Sequence, residues 1–183
     1  MRMERYVALL SGIPVGSKSV SPERLRLLLE RLNLFEVEML PGTGNVAFKV
    51  AVGILAPLEA QISRHLMKTL RNDITTFIRT PAELQEIVEH EPFPHEDQDG
   101  EDTTVFVVFM ADEPDDKLQR QLRSLWSEAD EFRVRGREIY WLKRPGKPSK
   151  VTGPLLQKTL GTPATVRSLE MIQKLVAEAM TGH

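Results

Sequence analysis

The stretch at residues 35–50, FEVEMLPGTGNVAFKV, decides the fold prediction. Two β-prone runs, 35–40 and 45–50, flank the segment PGTG at 41–44. The two glycines of that segment permit the positive φ angles of a tight chain reversal. The stretch therefore predicts a β-hairpin.

The segments on either side of the hairpin predict the remaining elements of a familiar order. Before it, the apolar run 6–10 predicts a strand, and Ser21-Pro22-Glu23 combines a capping hydroxyl, a first-turn proline and an acid at a helix start. After it, apolar residues at helical spacing predict a helix over 55–70, and 74–79 predicts a fourth strand. Residues 1–80 therefore predict the order β-α-β-β-α-β, with a four-stranded antiparallel sheet backed by two helices.

The rest of the chain repeats this order only in part. A capping box at 80–83 predicts a linking helix. Beyond it the pattern predicts a strand, a helix, a hairpin and two final helices. In chain order, these elements are expected at 103–110, 118–125, 131–134, 138–142, 155–160 and 166–179.

We therefore expect an α+β fold made of two ferredoxin-like (βαββαβ-type) halves with antiparallel sheets and an extra C-terminal helix. The expected domains are an N-terminal half at 1–80, a linking helix with an acidic loop at 81–102, and a C-terminal α+β half at 103–183. An edge strand of either sheet could pair with a second copy, or be protected by charge or by the linking helix, so the sequence leaves the oligomeric state open.

Composition excludes several classes of protein. The 183 residues include no cysteine, which excludes disulfides, thiolate metal ligands and cysteine nucleophiles and agrees with a reducing compartment. The net charge of −2 gives no overall attraction to nucleic acid or to anionic membranes. The apolar run near the N-terminus is too short for a signal-peptide core or a membrane span, so we expect a cytoplasmic protein without a membrane partner.

Several short motifs occur together along the chain. They are YVALL at 6–10 with Gly12-Ile13 and Val15-Gly16, Gly44-Asn45-Val46 with Phe48, Ser149-Lys150, and Arg167. In this combination the chain resembles the DUF1697 family of bacterial proteins. The resemblance extends over about 6–179 and implies two α+β halves of ferredoxin-like character, but no activity, since none is established for the family. The chain departs from the family pattern at Ser11, Pro14 and Leu169, so we expect weak binding at any shared ligand site.

The loop after the first predicted strand is a candidate anion site. Its sequence, GIPVGSKS at 12–19, has the length of a phosphate-binding P-loop, but the second glycine comes one place early and the helix begins only at Ser21. Two interpretations stay open. Gly12 and Gly16 either serve only the backbone geometry of the loop, or loop amides bind an anion together with Lys18.

The histidines do not predict a metal site. His90 and His95 are separated by one residue too many for a zinc-binding HExxH helix, and Pro92 and Pro94 would prevent that helix. The spacing reveals no Ser/His/Asp triad and no pair of catalytic carboxylates. The sequence therefore predicts no metal ligand, names no catalytic residue or cofactor, and leaves enzymatic activity open.

Charge is distributed unevenly along the chain. Residues 80–116 contain acids but no lysine or arginine, whereas residues 139–169 contain cations but no acid. The acids predict solvated surface. The basic loop 143–150, which follows Tyr140-Trp141, could contact phosphate or nucleic acid. The negative net charge, and a first hairpin without paired exposed aromatic residues, argue against a nucleic-acid partner.

We expect a binding or regulatory module for a small anionic, phosphorylated ligand. The predicted ligand-binding residues are Gly12, Gly16, Lys18, Asn45, Lys150 and Arg167. We expect them to converge on one cleft between the two halves, because packing explains polar loop residues poorly. The alternatives are an enzyme that acts on such a ligand through an unrecognised site, and a protein that contacts nucleic acid through the basic loop.

Overall fold

The structure, a computed structural model, describes residues 1–14, 16–52, 55–94 and 102–181, without the side chains of residues 55 and 56. The strands in these ranges are β1 Met3–Ser11, β2 Phe35–Met39, β3 Asn45–Ala51, β4 Thr75–Arg79, β5 Thr104–Met110, β6 Asp130–Arg135, β7 Glu138–Lys143 and β8 Ala164–Ser168. The α-helices are α1 Pro22–Glu30, α2 Leu55–Leu70, α3 Pro81–Glu89, α4 Asp116–Ser124, α5 Gly153–Leu160 and α6 Leu169–Thr181. A short 3-10 helix spans Gly16–Lys18.

The chain divides into two compact units. One unit comprises Met1–Ile87 and Gln173–His183, and the other comprises Val88–Ile172. Each contains a four-stranded antiparallel sheet, with strand order β2-β3-β1-β4 in the first and β6-β7-β5-β8 in the second. Both orders are those of the ferredoxin-like βαββαβ arrangement. The predicted α+β class, the two ferredoxin-like halves and the C-terminal helix are therefore confirmed.

The first unit builds a core between its sheet and helices α1 and α2. Helix α1 begins where the sequence predicted, because the Ser21 hydroxyl accepts a hydrogen bond of 3.2 Å from the Arg24 amide and Pro22 occupies the first turn. Leucines and an isoleucine of the two helices pack on alternate residues of β1 and β3, which point to one face of the sheet. The buried members of this core include Leu25, Leu28, Leu29, Leu58, Ile62, Leu66, Tyr6, Ala8, Leu10, Val46, Phe48 and Val50.

The second unit differs from the prediction at its last strand. Residues Ala164–Ser168 form β8, which pairs antiparallel with β5, so the predicted helical start at Val166 was wrong. Helix α6 begins only at Leu169, where the Ser168 hydroxyl accepts a hydrogen bond of 3.1 Å from the Met171 amide. The β-branched pair Thr165-Val166 favours a strand. The apolar residues that follow at helical spacing obscured this boundary in the sequence.

Helices α4 and α5 cover one face of the second sheet. Leu118, Leu122, Leu156 and Leu160 of these helices pack with Val108, Met110, Phe132 and Ile139 of the strands in one cluster of buried residues. No helix in the described ranges is both long enough and apolar enough to cross a membrane.

Candidate functional site

Gly12 follows β1 directly and packs against the backbone just before β4. Its φ angle is +84°, and a Cβ at this position would lie 2.0 Å from the carbonyl oxygen of Asp73. The side-chain amide of Asn72 donates a hydrogen bond of 3.2 Å to the Gly12 carbonyl oxygen. Both the backbone angle and the lack of space therefore require glycine here. The backbone conformation and the packing together explain Gly12.

The hairpin turn between β2 and β3 lies beside this loop. Gly44 has a φ angle of +75°, and a Cβ there would lie 2.8 Å from the Leu10 carbonyl oxygen and 3.4 Å from Cγ1 of Ile13. The Leu10 amide donates a hydrogen bond of 2.8 Å to the Gly44 carbonyl oxygen. The structure thus brings the loop after β1 and the hairpin turn together at one end of the first sheet.

Asn45 fastens this hairpin turn. Its side chain is buried at 1% exposure, and Nδ2 donates a hydrogen bond of 2.7 Å to the Pro41 carbonyl oxygen. The Leu40 amide also donates a hydrogen bond of 2.9 Å to the Asn45 carbonyl oxygen. These bonds give Asn45 a role in shaping the turn, and its contact with a ligand stays a prediction.

Gly16 contrasts with Gly12. Its φ angle is +74°, but a Cβ at this position would find no atom within 4 Å. It begins the 3-10 helix that ends at the exposed Lys18, and its carbonyl oxygen accepts a hydrogen bond of 3.0 Å from the Ser19 amide. A positive-φ residue that opens a turn can direct successive N–H groups to one side, an arrangement that binds anions. No packing contact therefore excludes a side chain at position 16, in contrast to position 12.

A buried carboxylate that the sequence analysis missed anchors the basic loop 143–150 in the second unit. Asp130, at the start of β6, is 0% exposed. Its Oδ1 accepts a hydrogen bond of 2.8 Å from Nε1 of Trp141, and its Oδ2 accepts one from the hydroxyl of Ser149. Asp130 thus ties the far end of the loop to the sheet.

Backbone contacts hold the other end of the same loop. The Arg144 amide donates a hydrogen bond of 2.7 Å to the Ala129 carbonyl oxygen, and the Arg144 guanidinium lies 3.3 Å from the Glu131 carboxylate. Lys147, between these anchors, and Lys150, directly after Ser149, are both exposed. The predicted site residue Lys150 therefore lies on a loop that is fixed at both ends.

Arg167 lies on β8 and is partly buried. Its Nη1 donates hydrogen bonds of 2.6 Å to Oγ1 of Thr165 and 3.0 Å to the Val166 carbonyl oxygen. Burial lowers the pKa of Arg167 to about 10, so the guanidinium is still a cation at neutral pH. A cation in such surroundings is less screened than one in bulk water.

The predicted site residues belong to both units. Gly12, Gly16, Lys18 and Asn45 lie in the first, and Lys150 and Arg167 lie in the second. The structure brings the Gly12 loop and the Asn45 hairpin together, as described above. The convergence of all the predicted residues on one cleft stays a prediction.

Histidine and carboxylate side chains give no metal centre in the described ranges. No group of three or more such residues is placed to hold a metal ion there, and His95 lies outside those ranges. The His90 ring packs against the Tyr140 ring with centroids 5.2 Å apart. Burial, together with the charge of Arg135, lowers the pKa of His90. These contacts give His90 a packing role.

Comparisons with known proteins agree with the fold. The family DUF1697, described as a protein of unknown function, matches residues 3–140. Among solved structures, the chain is similar to a conserved bacterial protein from Streptococcus pneumoniae, with a TM-score of 0.67 and 20% sequence identity over 97% of this chain and 99% of that chain. At this identity the similarity concerns the fold alone. No curated protein sequence matches the chain.

Proposed function

We propose that this chain, which belongs to the DUF1697 family of proteins of unknown function, is a binding or regulatory module for a small anionic, phosphorylated ligand. The proposed contact is the segment Gly16–Lys18, which follows β1 in the first unit. Its backbone amides and the Lys18 ammonium would hold the anion.

The single observation that carries the proposal is the open space at Gly16. At Gly12 a Cβ would clash with a backbone oxygen 2.0 Å away, whereas at Gly16 it would meet nothing within 4 Å. Glycine is often used where a ligand must approach the backbone closely. Gly12 therefore supports the loop, and Gly16 supplies the exposed backbone.

The neighbouring elements give this loop a firm base. The Gly12 carbonyl oxygen accepts its hydrogen bond from Asn72, and Gly44 packs on Leu10 and Ile13. Asn45 holds the turn that carries Gly44. Within the proposal Asn45 acts as a positioning residue, because its amide is enclosed and bonded to Pro41. A preorganised site loses less entropy when it binds.

Lys150 and Arg167 are the further cations of the proposal. Lys150 is exposed on an anchored loop, and Arg167 is held by Thr165 and the backbone of β8. Each charge-assisted hydrogen bond to a phosphate would contribute about 1.5–3 kcal/mol. Loss of either cation would therefore weaken binding.

A ligand screen tests the proposal directly. We would measure the melting temperature with inorganic phosphate, nucleotides and sugar phosphates, each beside its unphosphorylated counterpart, and repeat the screen at high salt. A ligand that binds the folded state raises the melting temperature by mass action. We expect at least one phosphorylated compound to raise it where its counterpart does not, whereas nonspecific polyanion binding would fade with salt.

Matched variants locate the site. Asparagine tolerates positive φ, so Gly16→Asn should block access to the backbone at little conformational cost. Gly136→Asn is the control, because Gly136 has a φ angle of +58° in the β6–β7 turn. Lys18→Gln and Lys150→Gln should each weaken binding by at least about tenfold, because tenfold corresponds to only about 1.4 kcal/mol. Unchanged affinity in both Gly16→Asn and Lys18→Gln would reject the site.

A further inference from the structure

The second unit contains a cleft of about 450 Å³ between the start of α4 and the end of α5. The side chains of Met110, Leu118 and Leu160 contribute to its lining, and each belongs to the buried core of this unit. A volume of this size is in the range of small-molecule sites, about 300–1,000 Å³. The cleft is large enough for a small organic molecule with an apolar part.

Charged groups of both signs line the same cleft. Asp112 and Glu113 follow β5, Lys117 lies in the first turn of α4, and Lys158 lies in the last turn of α5. Within the described part of the chain, none of these four side chains makes a hydrogen bond or an ion pair. Two carboxylates and two ammonium groups among the described residues thus line one cleft without forming ion pairs with one another.

The helix ends add local charge to the cleft. Gly161, with a φ angle of +64°, ends α5, and its amide donates to the Gln157 carbonyl oxygen. The last carbonyl groups of a helix carry partial negative charge and attract cations. At the start of α4 the Asp115 carboxylate accepts a hydrogen bond of 2.7 Å from the Leu118 amide. Asp115 is therefore already engaged in capping, and Asp112 and Glu113 are the carboxylates available to a ligand.

We propose that this cleft binds a small zwitterion with an aliphatic part, of the chemical class of a free α-amino acid. The ammonium group would contact Asp112 or Glu113 and the carbonyl end of α5, the carboxylate would contact Lys117 or Lys158, and the aliphatic part would cover Met110, Leu118 and Leu160. A purely cationic or purely anionic ligand would use only half of these groups. All the residues that line this cleft belong to the second unit, whereas the segment Gly16–Lys18 belongs to the first.

L-Leucine is a suitable probe for a nuclear magnetic resonance titration of the full-length ¹⁵N-labelled protein. Its isobutyl group suits the apolar lining, and its two charged ends can be blocked one at a time. We expect leucine to shift the amide signals of Leu118, Gly161 and Thr162. Leucinamide, which lacks the carboxylate, and N-acetyl-leucine, which lacks the ammonium, should each bind at least about tenfold more weakly.

Single substitutions identify the side chains that contact the carboxylate and the ammonium group of leucine. Lys158→Gln should weaken leucine binding about tenfold but leave the weak binding of leucinamide unchanged, since leucinamide has no carboxylate to lose a contact. Asp112→Asn should weaken leucine and leave N-acetyl-leucine unchanged. Lys68→Gln, on the exposed side of α2, is the matched control and should change neither.

Two outcomes would overturn the proposal. If saturating leucine moves none of the Leu118, Gly161 and Thr162 signals, the cleft does not bind this class of ligand. If leucinamide binds as tightly as leucine, the cleft is a simple cation site and the lysines have no role in recognition. Unchanged melting temperatures of the variants would ensure that either result concerns binding and not folding.

Discussion

The indole Nε1 of Trp141 donates a 2.8 Å hydrogen bond to Oδ1 of Asp130, which lies on the adjacent strand β6. The other carboxylate oxygen of Asp130, Oδ2, accepts a hydrogen bond from the hydroxyl of Ser149. A single enclosed carboxyl group therefore joins two strands and the basic loop of the second unit. Enclosed polar groups of this kind are costly to leave without partners.

Asp130→Ala should lower the free energy of unfolding by about 1.5–3 kcal/mol, because Trp141 and Ser149 would lose a charged acceptor. Asp130→Asn should lower it less, since the amide oxygen can still accept from Trp141 and the amide NH₂ can donate to Ser149. Urea unfolding of the two variants would measure both values. Equal stability of the alanine variant and the unaltered protein would show that the carboxylate does not anchor the loop.

Gly12→Ala and Gly16→Ala should differ in their effect on stability. Both place alanine at positive φ, which costs about 1–2 kcal/mol. Only Gly12→Ala also drives a Cβ to 2.0 Å from the Asp73 carbonyl oxygen. Because relieving such an overlap typically costs about 1–3 kcal/mol more, we expect Gly12→Ala to lose about 2–5 kcal/mol in total. Chemical denaturation would measure the free energy of unfolding of both variants. Equal losses would contradict the close approach of position 12 to the Asp73 carbonyl oxygen.

Adjacent leucines of α1 provide a matched pair for the core of the first unit. Leu28 is 5% exposed and belongs to that core, whereas Leu27 is 54% exposed. Leu28→Ala should therefore cost about 2–5 kcal/mol, because it leaves a cavity. Leu27→Ala should stay within about 0.5 kcal/mol. Thermal melts that show similar losses for both would mean that α1 does not pack as described.

The two tyrosines of the chain should ionise well above their usual pKa near 10. Burial raises the pKa of Tyr6 to about 12, with the hydrogen bond to Glu4 as a second cause, and burial also raises the pKa of Tyr140 to about 12. The folded state therefore holds phenol protons that the unfolded state releases. The contribution of the two tyrosines to the stability of the folded state is therefore fully present below about pH 10. It should be lost as the pH rises towards about 12.

Tyrosinate absorbance during an alkaline titration would measure this shift. We expect little ionisation at about pH 10 while the protein is folded, and a steep increase when it unfolds. Glu4→Gln should lower the pKa of Tyr6, because it removes the carboxylate 2.7 Å from the phenol oxygen. The Tyr140→Phe variant leaves Tyr6 as the only tyrosine, so its titration assigns the absorbance change of each tyrosine. Ionisation of both tyrosines near pH 10 in the folded protein would contradict the burial of their hydroxyl groups.

The sequence predicted the first sheet because its signals are local. The glycines at 42 and 44 indicated the reversal between β2 and β3, and Ser21-Pro22 indicated the start of α1. Strand β8 carried weaker signals, the β-branched pair Thr165-Val166 and the capping Ser168. Its five residues run directly into an apolar helix, so the helical spacing of α6 extended over Val166 in the prediction.

The contacts that shape the candidate site could not be read from spacing. Gly12 and Asp73 are far apart in sequence, and only the pairing of β1 with β4 brings them together. Asp130 likewise meets Trp141 and Ser149 through a hairpin and a loop. Sequence patterns identify glycines and charges, but the partner across the sheet decides whether a glycine is needed for packing or leaves its backbone open.

Strand β8 passes into α6 without an intervening residue, since Ser168 ends the strand and Leu169 begins the helix. Because each residue of an α-helix advances the helix by about 100°, one residue inserted after Ser168 would rotate the first turn of α6 by that angle while β8 kept its pairing. The enclosed side chain of Ile172, which belongs to the same unit as β8, would then turn away from its present surroundings. The hydrogen-bond register of a five-residue edge strand thus sets the rotational phase of the first turn of the C-terminal helix. Changes in chain length should be far more damaging at this junction than in the exposed turn at Gly146, where a side chain would meet nothing within 4 Å.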